Sequence, residues 1–390
     1  MMSEMKNLPK IPASEFAFVG DEGRLHDKKL ETKPVGYFKD AMIRFCKNKS
    51  SVVAAYIILF LVLYAIFVPI FCETTYSRAL TDTTYLMYTK LPPKVEGMGW
   101  LGMDGTGNVT VNEADYNTMR ALAQETGLDP VLEVYRAAYT DPTSSSKTTF
   151  YDLKVDNYYR MGMAYLTLTP DEFESIQAWQ DETGIQVIYP AITDTRQSDA
   201  NIWYEANRKG VATLDDEGNF QPIYKTTTPT DTTYHSLRIA ADNDPERPLA
   251  YARVGGTSSA PSYVVRVCKY TYFQYRYGFE PAFVFGTNAK GQDIFTRLAA
   301  GARFSFLLAI SISAINLFIG AIYGAIEGYY GGAVDLVMER IADVINGVPF
   351  IVVTTLFQLH LANKVGVVPA LLFAFVTTGW IGMAARVRMQ

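Results

Sequence analysis

The chain is poor in the residues that build metal and redox sites. In 390 residues it has three cysteines, Cys46, Cys72 and Cys268, and three histidines, His26, His235 and His360. They fall in no ligand spacing, which excludes the usual zinc patterns. Charge is scarce too: Asp, Glu, Lys and Arg make up 19%, against about 25% in an average soluble domain. A net charge of −5 does not supply the basic surface that nucleic-acid phosphates need. There is no nucleophile elbow, HExxH or pair of catalytic carboxylates, so the chain has no enzyme chemistry to assign. An ATPase of its own is excluded on similar grounds. The string "GTNAKGQD" (286–293) copies the glycine spacing of a phosphate loop, but Gln292 and Asp293 stand where a lysine and a hydroxyl are required.

Uncharged runs are what the chain has in their place. Residues 52–72, "VVAAYIILFLVLYAIFVPIFC", carry no charge over 21 positions, enough for a helix to cross the roughly 30 Å hydrocarbon layer. The run begins too late and extends too far for a cleaved signal peptide. Arg44, Lys47 and Lys49 precede it and Glu73 follows, which puts the N-terminus inside and residue 73 outside. Later runs predict spans at about 304–326, 344–362 and 368–385, with Pro349 kinking the third or marking where it meets lipid. Four crossings return Arg386 and Arg388 to the inner side, as the charge rule prefers. The acidic 327–343 connection fits that rule poorly, although acidic residues count little in it. The polar side chains Asn316, Gln358 and His360 fall at membrane depth, where they line a pathway or bond between helices.

The ends and the middle differ in character. Residues 1–34 read as a polar cytoplasmic tail. Residues 35–50 read as an amphipathic interfacial helix with Phe38, Met42, Ile43 and Phe45 on one side. Residues 73–303 have soluble composition and predict an extracytoplasmic domain with an outer-face loop. Within it, "TLTPDEFESIQAWQDETG" (167–184) carries a capping box, Thr169 with Glu172, then Pro170 at the first helical position and Gly184 as the stop. "TVNEADYNTMRALAQETG" (110–127) aligns with it without gaps, which fits a duplicated unit or two helices built on the same rules. The aromatic stretch 262–279 predicts a strand or hairpin. "DGTGNVTVNEAD" (104–115) lacks the glycine and glutamate of a calcium loop and reads as a turn. On this topology Cys72 and Cys268 share the outer side, as a pair or as two separate thiols.

At 286–305, "GTNAKGQDIFTRLAAGARFS", the chain resembles the C-type permease of bacterial oligopeptide and dipeptide ABC importers. Gly286, Thr287, Gly291, Asp293, Arg297, Gly301, Ala302, Arg303 and Ser305 match that family's segment before its second span, with Asn288 in place of its usual Asp. "GYYGGAVDLVMERIADVINGVPF" (328–350), "TGWIGMAARVRMQ" (378–390) and "RFCKNKSSVVAAYII" (44–58) resemble further blocks in family order. The resemblance implies an α-helical membrane protein, a type I ABC importer transmembrane domain with four of six spans present in residues 304–390 and 51–72. It carries a large α+β extracytoplasmic domain between spans one and two. It further implies a second permease subunit, two cytoplasmic ATPase subunits that use ATP, an extracytoplasmic substrate-binding protein, and no cofactor on this chain itself. The family continues past the position of Gln390 to a coupling helix and two more spans, so a fragment is expected. The rival reading is a membrane-anchored receptor or sensor whose extracytoplasmic domain binds a ligand.

Overall fold

Gly36 opens the first helix, α1 (Tyr37–Lys47), in the computed structural model, which describes residues 36–71, 83–140, 148–193, 199–208, 211–228, 230–235, 248–257 and 259–390. The expected tail, Cys72 and His26 lie outside them. Helix α1 leaves Phe38 and Met42 exposed and pairs Asp40 with Arg44 at 2.7 Å, one turn apart. Asn48 then takes extended backbone (φ −88°, ψ 101°), which ends α1, and its side-chain oxygen accepts from Ser50 N at 3.2 Å to start the next helix. That helix, α2 (Lys49–Phe71), has no charge after Lys49.

Residues 106–268 are built around two sheets, each backed by one capped helix. Strands β1 (Thr106–Asn112), β2 (Val131–Thr140) and β3 (Thr149–Asp156) form an antiparallel sheet in the order β1-β3-β2. Helix α3 (Glu113–Thr126) lies between β1 and β2 in the chain, and its Met119 packs against Val111, Leu153 and Val155. The second sheet holds β4 (Met163–Leu168), β5 (Ile188–Tyr189), β6 (Tyr234–His235), β7 (Ala252–Thr257) and β8 (Ala260–Cys268), in the order β4-β8-β7-β6 with β5 also on β8. Helix α4 (Pro170–Thr183) follows β4 and buries Phe173 and Ile176 against Val265 and Val267.

The two helices are the aligned segments 110–127 and 167–184. Each starts at a side-chain cap, Asn112 or Thr169, and stops at a left-handed glycine, Gly127 (φ 72°) or Gly184 (φ 71°). In both units a strand leads into the helix, a second strand follows, and a later antiparallel strand (β3 or β8) pairs with both. Shared topology of this kind is what a duplicated unit requires. The capping box at Thr169 is present with both of its bonds.

The aromatic stretch 262–279 differs from the predicted strand or hairpin. The strand ends at Cys268 and helix α5 (Lys269–Tyr277) takes over. Tyr270, Phe273 and Tyr277 recur at helical spacing and bury one face against Tyr88 and Phe283, and that packing overrides local strand preference. Cys268 is a free thiol sealed in this core, and burial pushes its pKa up.

A buried ion pair joins the two units. The Arg266 guanidinium on β8 is fully buried and donates to Ala200 O and Pro190 O, each at 2.7 Å, and to a Glu125 carboxylate oxygen on α3. The other Glu125 oxygen accepts from Tyr224 OH at 2.9 Å. Burial pushes the Glu125 carboxyl up, and Arg266 pulls it back in part.

Helix α6 (Ile294–Tyr330) begins the second membrane region and runs 37 residues, about 55 Å at 1.5 Å per residue. It starts ten residues before the predicted span boundary, so Arg297, Gly301 and Arg303 lie on a helix and not in a loop. One glycine among Leu, Ala and Phe does not stop a helix whose first turn is capped. Left-handed Gly331 and Gly332 turn the chain into α7 (Gly332–Asn346), which is followed by α8 (Phe350–Val365), α9 (Val367–Gly379) and α10 (Ile381–Arg388). Among the described residues, Lys49–Phe71, Ile294–Tyr330 and Val367–Arg388 are long and apolar enough to cross a membrane. The pair α7 and α8 meets the same test jointly, bent by 72° at the break before Phe350.

Candidate functional site

The loop 286–293 is held by bonds that its own residue types supply. Asn288 Oδ1 accepts from Lys290 N (2.8 Å) and Gln292 N (3.0 Å), while Gly291 N returns to Asn288 O (3.0 Å). An aspartate would accept the same two bonds, which explains why Asn288 can stand in its place. Asp293 closes the loop by capping α6: its carboxylate accepts from Phe295 N (3.1 Å) and Thr296 N (3.3 Å). Burial pushes this carboxyl up in spite of those donors. Arg297 and Arg303 are exposed on the first turns of α6.

The loop is sewn to a segment almost 200 residues earlier. Buried Thr287 accepts from Leu91 N (2.8 Å) through its hydroxyl, which donates to Tyr88 O, and its own N–H reaches Leu91 O at 2.9 Å. Lys90 N bonds to Asn288 O (3.1 Å) and Lys94 N to Phe283 O (2.9 Å). Gly286 has φ 72°, and a side chain there would drive its Cβ into Leu91 O. Gly286→Ala is therefore expected to open this seam, with a lower unfolding temperature in detergent and new protease cuts near residue 90. The C-terminal half of α2 joins the same assembly: Tyr64 OH donates to Phe295 O, and the two rings meet edge to face at 5.1 Å.

A seam of glycines joins α6 to α10. Gly320, Gly324 and Gly328 lie one turn apart on α6 and face Trp380, the N-cap of α10, and Ala384 and Arg388 on that helix, spaced alike. A Cβ on Gly320 would stand 2.7 Å from Trp380 O, so the two backbones touch. This close approach of small residues holds membrane helices together where lipid offers no hydrophobic drive. At its end Arg388 grips Asp335 through two contacts (2.7 and 2.8 Å) and Glu339 through one (2.7 Å), both on α7. The acidic connection thus draws its positive counterpart from the last helix and not from its own sequence. Because all three side chains are partly exposed, Arg388→Gln should lower the unfolding temperature only slightly.

The structure separates the polar residues at membrane depth. Asn316 lies against Gly379, where a Cβ would strike its side-chain amide, so it is a packing residue between α6 and α9. Its Oδ1 is buried without a partner. Gln358 and His360 are exposed on α8, and His360 Nδ1 lies 3.1 Å from Leu356 O. Pro349 stands at the bend between α7 and α8. Among the described residues no cluster of three His, Cys, Asp or Glu could hold a metal.

Residues 36–93 match the family profile described as the N-terminal TM domain of oligopeptide transport permease C. The resemblance is to an oligopeptide or dipeptide permease. A dipeptide transport system permease protein of Bacillus subtilis is 40% identical over 106 residues, 27% of this chain and 32% of that protein. An oligopeptide transport system permease protein of the same organism is 39% identical over 106 residues, 27% and 34% of the two chains. That of Haemophilus influenzae is 39% identical over 107 residues, 27% and 33%. The match spans about a third of the length of each of these relatives. The permease profile ends at residue 93, so the segment that Thr287 grips, Tyr88–Leu91, is the tail of the matched domain. The motif residues of 286–293 thus fasten one permease-like stretch to the start of the next membrane helix. The motif pointed to Thr287 but not to its partners. The grip of Arg388 and the seam of Gly320, Gly324 and Gly328 are not legible in the sequence, because pairing between distant helices leaves no local pattern beyond glycines four apart.

Proposed function

We propose that the chain is one membrane-spanning subunit of an ATP-driven importer of peptides. The observation that carries this reading is the lock between Thr287 and Tyr88–Leu91. It gives the permease-like motif a physical task, fixing where the second membrane helix begins relative to the first permease block. A receptor with a single anchor has no need of such a frame. In this reading Gly286, Thr287, Gly291 and Asp293 shape the outer loop. Gly301 lies on the helix that leaves it, and exposed Arg297 and Arg303 face the headgroups or the substrate-binding protein. A second permease completes the passage, and two cytoplasmic ATPase subunits supply the work by closing on ATP and shifting which side is open. The chain sits in a bacterial cytoplasmic membrane with its N-terminus inside, as Arg44, Lys47 and Lys49 before the first span favour.

The test is uptake of labelled di- and oligopeptides by cells with and without the gene, together with affinity capture of the full-length subunit from membranes. Loss of uptake and recovery of a Walker-motif ATPase are expected. Unchanged uptake of every peptide offered, with no ATPase recovered, would falsify the proposal.

A further inference from the structure

Several hydroxyls of the membrane helices are served by their own backbone. The hydroxyls of Ser311, Thr354, Thr355 and Thr377 donate to carbonyls at Leu307, Ile351, Ile351 and Phe373, at 2.7–2.9 Å. Gln358 is different. It sits at the middle of α8, it is exposed, and its amide makes no hydrogen bond among the described residues. Thr355, one turn earlier, is exposed on the same face. A primary amide turned to hydrocarbon is costly, so this face requires water or another polar group.

The break before α8 points the same way. Gly347, Val348 and Pro349 interrupt the helix and are exposed. Ile345, just before them, packs on the same cluster of Ala342, Trp380 and Ala384 as Ile319 and Tyr323 of α6, so the break lies beside the charge-free stretch of α6. Irregular backbone at that depth is tolerated only inside protein or beside water, and broken helices of this kind line transport sites.

We propose that the Thr355–Gln358 face of α8 lines the water-filled passage and that Gln358 hydrogen-bonds the backbone of the passing peptide. This rests on the peptide-import reading above. A primary amide offers one acceptor and one donor side by side, the complement of a peptide group's N–H and C=O. Such a contact reads the backbone and ignores the side chains, and being uncharged it discriminates by neither charge nor sequence. It suits a carrier of peptides as a class.

The experiment uses the full-length subunit assembled with its partners in proteoliposomes, with Cys46, Cys72 and Cys268 replaced. Gln358→Cys is exposed to a membrane-impermeant methanethiosulfonate cation, with Thr355→Cys as a second reporter on the same face. Labelling at both positions, slowed severalfold by saturating peptide, is expected. Gln358→Leu should raise the peptide concentration for half-maximal uptake by about three- to tenfold, the worth of one or two neutral hydrogen bonds, and by the same factor for peptides of unrelated sequence. Silence of both positions to the cation, while a lipophilic maleimide reacts, places the face against lipid or the second permease and overturns the proposal. Labelling without peptide protection, or a leucine variant with unchanged uptake, overturns the peptide contact. An assembly that labels at 358 but moves no peptide overturns the import reading and leaves the water-lined helix standing.

Discussion

Glu125→Ala is expected to destabilise the two-sheet part of the chain by about 3–5 kcal/mol, the usual effect of breaking a buried pair and leaving one charge behind. The charge left behind is Arg266, whose side chain has no exposure at all. Thermal unfolding of the purified chain, or protease resistance of the α3 and β8 regions, would measure it. Tyr224→Phe removes one hydrogen bond to the same carboxylate and should cost about 1 kcal/mol. Replacing both charges with apolar residues, often harmless for a buried pair, should not rescue this one. Arg266 also satisfies the carbonyls of Ala200 and Pro190, and they would be left without a donor. A Glu125→Ala chain that unfolds with the wild type would show that the pair joins nothing.

Gly324→Val should do comparable damage in the membrane region. A Cβ at this position falls 3.0 Å from the Ala384 Cα and carbonyl carbon, which are backbone atoms with no rotamer to change. Overpacking commonly costs 1–3 kcal/mol, at the upper end where nothing nearby can yield. Helices α6 and α10 would be forced apart, and with them the grip of Arg388 on Asp335 and Glu339. Gly324→Ala should be milder and Gly382→Ala neutral or slightly stabilising, since nothing lies within 4 Å of a Cβ at residue 382 and alanine favours helix. Unfolding temperatures of the four proteins in one detergent test the ranking. A valine variant as stable as the alanine one would remove the seam from the account.

The sequence reading reached the elements with local signatures. The span at Lys49–Phe71 follows from the absence of charge, and the helix Pro170–Thr183 from its cap, proline and glycine. The turn of the aromatic stretch at Cys268 was not legible, because Tyr, Phe and Val favour a strand until Tyr88 and Phe283 supply a surface for one helical face. The start of α6 was missed for a related reason. Arg297 and Arg303 read as a loop ahead of the apolar run, whereas the cap at Asp293 puts them in the first turns of the helix. Of the candidate site, residue identity was visible and partnership was not. Asn316 and Gln358 look alike in the sequence, and only Gly379 beside the first distinguishes them.

The bond from Lys94 N to Phe283 O brings together the two points between which residues 95–282 are inserted. Because the stem is already shut, the size of the inserted piece adds little closure entropy to the helices that follow. The piece is nevertheless no detachable cassette, since Tyr88, Leu91 and Phe283 of the stem are buried with its Tyr158, Tyr270 and Phe273. A foreign domain grafted at these two points would have to bring an apolar surface of its own to cover those three side chains.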